Sequence, residues 1–421
     1  MKYKIGIDVG GTFTDFLLTR SDGKSETYKV LSTPKDPSVA TMQGISEMAQ
    51  DEGLSLRNFL ASVDVIVHGT TVTTNAVLTY RGADTGLLTT NGVRDALEMR
   101  RGIREEQYNN RYTNAVPLVP RHRRLPTAGR LDYAGEEITP LDEGEIRSHV
   151  ESLRESNVEA IAICFMNSFA NRAHEDRTAQ IVKEILPEAY LAVSTDVLPS
   201  IRFYDRVSTT VLTAYVGPIL KGYLDNLLRK LDEAGFPNVL LIMQSNGGVV
   251  SPQIAMDHAA STLLSGPAGG PVAGMVYSGI QDYADSITMD MGGTSFDCAL
   301  IKDRTPFTTT VGEINRLRLA LPMLNVVTIG AGGGSIGWID EGGLLRMGPQ
   351  SASSDPGPAC YGLGGEDPTC TDADLVLGYL DPGFFAGGRM PLHKEKAEKA
   401  IEEKIAKPLG FNLMEAAAGM Y

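Results

Sequence analysis

One eight-residue pattern occurs twice in this chain, as Asp8-Val-Gly-Gly-Thr-Phe-Thr-Asp15 and as Asp290-Met-Gly-Gly-Thr-Ser-Phe-Asp297. Each copy follows a short apolar run (Ile5-Gly-Ile7; Ile287-Thr-Met289) and precedes another (Phe16-Leu-Leu18; Cys298-Ala-Leu-Ile301). Strand, Gly-Gly tip, strand is the pattern of a β-hairpin whose turn carries carboxylates and hydroxyls. Glycine at the tip permits positive φ and close backbone approach to a ligand. Successive N–H groups there form a concavity for anions, and flanking aspartates supply oxygen ligands of the kind Mg²⁺ takes beside phosphate. A single Asp-x-Gly-Gly-Thr would be an ordinary turn. Two copies in the same strand context point to a phosphate clamp.

The rest of the chain limits what such a clamp serves. A length of 421 residues allows two or three domains, and 42% hydrophobic with 21% charged residues is the composition of a folded globular chain. A formal net charge of −14 argues against nucleic acid or an anionic membrane surface as a partner. It leaves ATP open, because a glycine tip binds phosphate locally. No apolar stretch approaches the roughly 18–20 residues of a membrane span, and the N-terminus enters the charged motif without a signal-peptide core, so the expected location is the cytoplasm. Cys164, Cys298, Cys360 and Cys370 lack Cys-x-x-Cys spacing and read as reduced thiols, with Cys360 and Cys370 also open to a metal.

Along the chain, residues 1–35 predict a three-stranded meander turning at Ser21-Asp22-Gly23. A helix opens at Pro34-Lys35-Asp36-Pro37. Buried-strand patterns follow at Val63–His68, Thr85–Thr90, Ala160–Met166 and Val239–Met243. Thr139-Pro140-Leu-Asp142-Glu143 predicts a helix start with Thr139 as N-cap, and a long amphipathic helix is expected from about Gly217 to Glu233. Residues 100–126, with Arg100-Arg101-Gly-Ile-Arg104, Tyr108, Arg111-Tyr112 and Arg121-His-Arg-Arg124, form a basic, aromatic insertion that is a binding loop or a plain connector. Interleaved helices and apolar strands indicate an α/β fold. Duplicated halves suggest lobes facing across a cleft, and Glu415–Tyr421 reads as the start of a helix cut short.

Other motifs have two readings each. His68-Gly-Thr-Thr-Val-Thr-Thr-Asn75 ends a strand, where α/β sheets face their ligands, yet a lone histidine is also a common core residue. Leu264-Ser-Gly-Pro-Ala-Gly-Gly270 precedes a helix and suits either a phosphate or tight small-residue packing. Gly330-Ala-Gly332-Gly333-Gly334-Ser335 follows a strand but leads into strand and turn rather than a helix. That removes a dinucleotide fingerprint and leaves a cleft-lining loop or close packing. Asp355–Gly362 and Thr369–Asp374 are rigid turns or carriers of metal-capable side chains. No Walker loop, His-Glu-x-x-His or Gly-x-Ser-x-Gly occurs.

The paired hairpins resemble the phosphate motifs of the actin, sugar-kinase and Hsp70 superfamily. More narrowly, the chain is similar to the large ATP-binding subunit of the hydantoinase/oxoprolinase family. The matching stretches run in order from end to end: Ile7–Asp15, His68–Asn75, Met243–Gly248, Leu264–Gly269, Asp290–Ser295, Ile329–Ile336 and Asp355–Gly362. The resemblance implies duplicated actin-like (ribonuclease H-like) ATPase lobes around a nucleotide cleft, with part of the C-terminal region missing. It also implies an N-terminal family domain at 1–196 and a second, hydantoinase A-like domain at 197–421. The superfamily's adenosine-binding glycine pair lies much further beyond the second hairpin than Gly330–Gly334 does, so this sequence offers no clear candidate for adenine.

The resemblance further implies ATP-dependent hydrolysis of a cyclic amide (a hydantoin, a lactam or 5-oxoproline), with a hydantoinase B-type second subunit in a hetero-oligomer. The alternative within the family is a subunit of an acetone- or acetophenone-type carboxylase. Gly10, Gly11, Thr12, Thr14 and Asp15, with Gly292, Gly293, Thr294, Ser295 and Asp297, are the expected nucleotide contacts, joined by Gly332 and Gly333. Asp8 and Asp290 would hold Mg²⁺ (Mn²⁺ or Zn²⁺ as alternatives) and act in catalysis. His68 and the arginines of 100–124 would meet the substrate. Two rivals use the same scaffold: a small-molecule kinase, which would release a phosphorylated product unaided, and a nucleotide-gated binding module, for which the sequence offers no interaction domain.

Overall fold

The structure is a computed structural model that describes residues 2–11, 13–33, 35–102, 105–388 and 390–421. Thr12, at the first tip, and Arg104, in the basic insertion, lie outside the described residues. By compactness the chain divides into two discontinuous units. One contains Met1–Ser62, Pro267–Phe307 and Asn325–Tyr421; the other contains Val63–Gly266 and Thr308–Leu324. Both hairpins fall in the first of these compact units.

In that unit, Tyr3–Val9, Phe13–Arg20 and Ser25–Leu31 form the expected antiparallel meander. Period-two alternation sorts its side chains. Tyr3, Ile5, Ile7, Val9, Phe16 and Leu18 point to one buried face, and Lys4, Asp8 and Asp15 to the other. Helix Pro37–Asp51 covers the apolar face with Ile45, Met48 and Ala49. Its N-terminus is set by Asp36, whose carboxylate accepts from the Ser38 N–H at 3.1 Å, with Pro37 in the first turn. Gly44 lets the Phe16 ring sit against the helix, since a Cβ there would lie 2.2 Å from the ring. Each fully buried Ile, Leu or Phe of this layer contributes roughly 1.5–3 kcal/mol.

The second hairpin belongs to a sheet in which Phe296–Lys302 pairs with Ser286–Met291, Thr305–Pro306 and Val326–Ile329. Helix Gly269–Ile280 packs on one face, where Ala299 and Ile301 are buried. The register puts Ile287, Met289, Met291, Phe296, Cys298, Leu300, Val327 and Ile329 together on the other. Ile287, Met289, Met291, Leu300, Val327 and Ile329 are all exposed there. A third layer of the unit is a cluster of short helices, Cys370–Leu377, Lys394–Ile401 and Leu413–Met420, packed around Ala373, Leu375, Ala397, Ile401, Ala416 and Met420.

The other unit is built on a four-stranded parallel sheet, in the order Tyr190–Val193, Ala160–Cys164, Thr85–Thr90, Arg124–Thr127. Helices Glu143–Glu155 and Ala173–Ile185 cover one face and helix Phe203–Glu233 the other. Two covered faces explain why Ala160–Cys164 is buried at every position. A second parallel pair, Val63–Thr70 with Val239–Met243, completes it.

Two expectations need correction. Asp142, not Thr139, caps helix Glu143–Glu155, its Oδ1 accepting from Glu145 N–H at 2.9 Å, while Thr139 ends a short strand. The long helix begins at Phe203 rather than near Gly217 and carries Pro218 inside it. Its first half is buried on all sides, so it shows no amphipathic period. Thr209, Thr210 and Thr213 tolerate burial by donating their hydroxyls to the carbonyls of Asp205, Arg206 and Thr209 at 2.7–2.9 Å. No helix among the described residues is long and apolar enough to cross a membrane.

Candidate functional site

The two fingers have the same register. Asp8 lies opposite Asp15 across the first hairpin, and Asp290 opposite Asp297 across the second. Each tip closes with an equivalent bond: Gly10 N–H donates to Phe13 O at 3.0 Å, and Gly292 N–H to Ser295 O at 2.9 Å. The sequence duplication is therefore a structural one.

Both fingers are tied to the same helical cluster. Phe13, at the first tip, packs against it directly. The second finger is held through the glycine loop. Gly333 N–H donates to Gly292 O at 3.0 Å, Gly334 N–H to Gly293 O at 2.7 Å, and Thr371, at the start of helix Cys370–Leu377, binds Gly333 O through both its N–H and its hydroxyl at 2.8 Å. Gly332 is needed for this contact, because a Cβ there would lie 2.7 Å from Gly292 O and 2.8 Å from Gly293 C and Thr294 N. The N–H groups of Gly333 and Gly334 are thus spent on bracing the finger, and Gly332 N–H on Ser335 Oγ at 3.0 Å.

Thr14, Ser295 and Asp297 also have internal partners. Thr14 is buried with its hydroxyl 3.0 Å from Ser32 Oγ, which donates to Gly10 O at 2.8 Å. Asp297 accepts from Ser295 Oγ at 3.0 Å and from the Thr328 hydroxyl. Gly11 and Gly292 are exposed at the tips, with Gly293 half-buried. The sequence reading missed Lys29, whose ammonium sits 2.5 Å from Asp15 and 4.8 Å over the Phe13 ring. The meander carried that signal, since its turn places Lys29 opposite Asp15.

Crowding by protein raises the Asp8 carboxyl to about 6, with repulsion from Asp15 and then Asp290 adding and Lys29 opposing. The Asp8 side chain still reaches water, which weakens the desolvation but not the sign of the two like charges. A surplus of negative charge between the fingers is what a divalent cation would relieve, so these residues fit Mg²⁺ chemically. Among the described residues no three His, Cys, Asp or Glu side chains converge into a ready-made metal centre. A cation here would take most of its ligands from phosphate and water, as Mg²⁺ characteristically does.

The metal reading of the Cys360–Asp374 region has a different outcome. Asp372 is fully buried and accepts from the N–H groups of Ala359, Cys360 and Thr369 at 2.8–3.2 Å and from Thr369 Oγ1 at 2.8 Å. It is a helix-start brace. Burial and Asp372 push the Cys360 thiol well above its ordinary range, and all four cysteines are unpaired.

His68 and the basic insertion lie in the other unit. His68 is completely buried, its Nε2 2.6 Å from Tyr223 Oη, and burial lowers its pKa to about 4. The structure thus gives His68 as a buried imidazole bonded to Tyr223 through Nε2, with its Nδ1 buried and without a hydrogen-bond partner. Around it, Thr73 and Thr74 bind Thr262 Oγ1 and Leu264 N–H at 3.0 and 2.9 Å, and Ser265 donates to Thr70 O at 3.2 Å. The arginines are mostly internal clamps. Arg100 pairs with Glu105, Arg121 with Asp95, Arg123 with Asp84, and buried Arg124 with Glu98 and Val119 O. Arg101 and Arg111 are exposed.

The chain matches two descriptions of one family: the hydantoinase/oxoprolinase N-terminal region over residues 4–186 and hydantoinase/oxoprolinase over residues 206–421. Caprolactamase subunit alpha of Pseudomonas jessenii is 41% identical, covering 100% of this chain and 60% of its own. The acetophenone carboxylase gamma subunit of Aromatoleum aromaticum is 38% identical over 98% of this chain and 58% of its own. Among solved structures, nucleotide-free acetone carboxylase matches with a TM-score of 0.87 at 30% identity, covering 99% of this chain and 61% of that one. The ATP-dependent caprolactamase of Pseudomonas jessenii matches with a TM-score of 0.83 at 40% identity and the same coverage. The chain spans about three-fifths of the length of these relatives. With the mixed α/β fold shared and the family's two regions spanning nearly the whole sequence, the chain belongs to the hydantoinase/oxoprolinase family.

Proposed function

We propose that this chain is the nucleotide-handling part of an ATP-dependent enzyme that hydrolyses a cyclic amide, working with a second subunit of hydantoinase B type. The observation that carries this reading is the pair of fingers in one compact unit, equal in register, braced on one helical cluster, with three of their carboxylates near enough to repel. The 41% identity to a caprolactamase subunit favours the lactam class. The fold on this reading is a pair of actin-like lobes, and the unpaired cysteines suit the cytoplasm.

Gly10, Gly11 and Thr12 would hold phosphate from one finger, and Gly292, Gly293 and Thr294 from the other. Asp8 and Asp290, backed by Asp15 and Asp297, would hold Mg²⁺, which neutralises the charge on the transferring phosphoryl group. The substrate's amide oxygen attacks the γ-phosphorus and ADP leaves with the bridging electron pair. The amide N–H proton passes to solvent as the O-phosphorylated imidate forms. Water adds to its carbon, the ring C–N bond breaks with the nitrogen taking a proton, and the acyl phosphate that remains is hydrolysed to carboxylate and inorganic phosphate. Alignment and charge neutralisation supply most of the acceleration. His68 acts at a distance, holding the strand end in place.

The test is ATP turnover with lactams, hydantoins and 5-oxoproline, with and without the second subunit. Stimulation by a cyclic amide supports the proposal. Stimulation by ketone plus bicarbonate alone would favour the second reading, a ketone carboxylase subunit, which the acetophenone and acetone carboxylase relatives motivate.

A further inference from the structure

A cavity of about 280 Å³ lies within the unit Val63–Gly266 and Thr308–Leu324, lined by Gln244, Asn246, His258 and Ser261 together with Val197 and Leu321. It opens just beyond the C-terminal end of strand Val239–Met243, which runs parallel to Val63–Thr70. Carboxyl ends of parallel strands are where α/β sheets present their ligand loops. At that size it suits one small ring rather than a drug-sized molecule.

The backbone around it is fixed from within. Ser245 donates to Ser261 O through both N–H and hydroxyl, at 2.8 and 2.7 Å. Gln244 N–H donates to Gly248 O at 2.8 Å, and Gly248 N–H returns a bond to Asn246 Oδ1 at 2.8 Å. These bonds decide what the side chains have left to offer. Gln244 Nε2 donates to Ser261 Oγ at 2.9 Å, so Gln244 Oε1 remains an acceptor and the Ser261 hydroxyl a donor. Asn246 has spent its oxygen on the turn and keeps its amide N–H₂ as a donor. His258 adds an exposed ring, and Val197 and Leu321 an apolar wall. Asp196, also in the lining, is paired with Arg172 at 2.9 Å, and the Thr213 hydroxyl donates to Thr209 O at 2.9 Å.

The Gln244 acceptor beside the Asn246 and Ser261 donors, against Val197 and Leu321, complements a group that presents C=O and N–H side by side. A small-ring amide does so because the ring holds it cis; a ketone offers only the acceptor. We propose that this cavity is a recognition site for a single-ring cyclic amide, with Gln244 Oε1 accepting its N–H and Asn246 and Ser261 donating to its carbonyl. This rests on the cyclic-amide reading above and extends it to a residue-level reason for preferring lactam to ketone. A ketone would leave Gln244 Oε1 facing hydrocarbon, and a site built to pair a group discriminates strongly against analogues lacking it.

The experiment is a calorimetric or ligand-observed NMR titration of the chain, without nucleotide, using δ-valerolactam, N-methyl-δ-valerolactam and cyclohexanone. The lactam should bind about tenfold or more tightly than the other two. Asn246→Asp, which keeps the turn-forming oxygen and exchanges the donor for an acceptor, should weaken the lactam by a similar factor. Gln244→Met should do likewise, and His258→Ala provides a variant with no internal bond to lose; thermal unfolding checks that each remains folded. Equal binding of lactam and ketone, no lactam binding, or lactam binding unaffected by both Asn246→Asp and Gln244→Met would overturn the proposal. Lactam-stimulated ATP turnover with the second subunit separates the two claims. Stimulation unaltered by Asn246→Asp sinks the cavity and leaves the function standing. Asn246-dependent binding without stimulation by any cyclic amide upholds the cavity and sinks the function.

Discussion

Replacing Asp8 with Asn should make this protein more stable and inactive at once. The Asp8 carboxyl is raised from 3.8 to about 6 by crowding and by Asp15 and Asp290, so the folded chain holds that proton more tightly than the unfolded chain does. Ionisation therefore costs stability. The cost is absent below about pH 4, grows as pH rises through the interval to about 6, and is fully present at neutral pH. At 1.36 kcal/mol per unit the upper bound is about 3 kcal/mol. The side chain reaches water, and solvent screening reduces this to about 1 kcal/mol. For a chain of this size that is a rise in melting temperature of about 1–3 °C for Asp8→Asn at pH 7.5. Melting curves of wild type and variant from pH 4.5 to 8 would show the gap opening with pH, while ATP turnover by the variant falls to background. A variant that melts below wild type at pH 7.5, or a gap that does not change with pH, would refute the electrostatic account of the fingers.

Three further outcomes follow from the geometry. Gly332→Ala places a methyl 2.7 Å from Gly292 O and should cost about 1–3 kcal/mol of stability while lowering ATP turnover; a variant matching wild type in both would show that the loop does not set the finger. Asp372→Asn turns one acceptor of a fully bonded carboxylate into a donor facing N–H groups, and chemical denaturation should reveal a loss of about 2–3 kcal/mol. The His68 ring, its pKa lowered to about 4 by burial, should stay neutral in NMR titration from pH 8 to 5. Its stability contribution is lost only as pH falls from the unfolded value of 6.5 toward 4, and a ring titrating near 6.5 would show that it is not sealed.

The hairpins were legible because strands with one buried face write a two-residue period into the sequence, and the glycine pairs mark the tips. Lys29 was legible in principle by the same register. Residues 203–216 were hidden for the opposite reason: a helix buried on all sides has no polar stripe, and Pro218 reads as a break. The arginine clamps were illegible because Asp84, Asp95 and Glu98 are distributed over segments that meet Arg121, Arg123 and Arg124 only after folding. Gly332 and Gly333 were read as nucleotide contacts, and the structure places them in the loop that braces the second finger. The pressure on Gly332 comes from the neighbouring finger's backbone and that on Gly333 from the Thr371 hydroxyl, which no local pattern announces.

The two fingers share an outline but not a footing. A helix packs on one face of each sheet, Pro37–Asp51 on the first and Gly269–Ile280 on the second, but on the opposite face of the second Ile287, Met289, Met291 and Val327 meet water. The second finger therefore keeps an uncovered apolar face, while its tip is braced by the glycine loop. Whatever covers that apolar face gains roughly 25 cal/mol for every Å² taken from water.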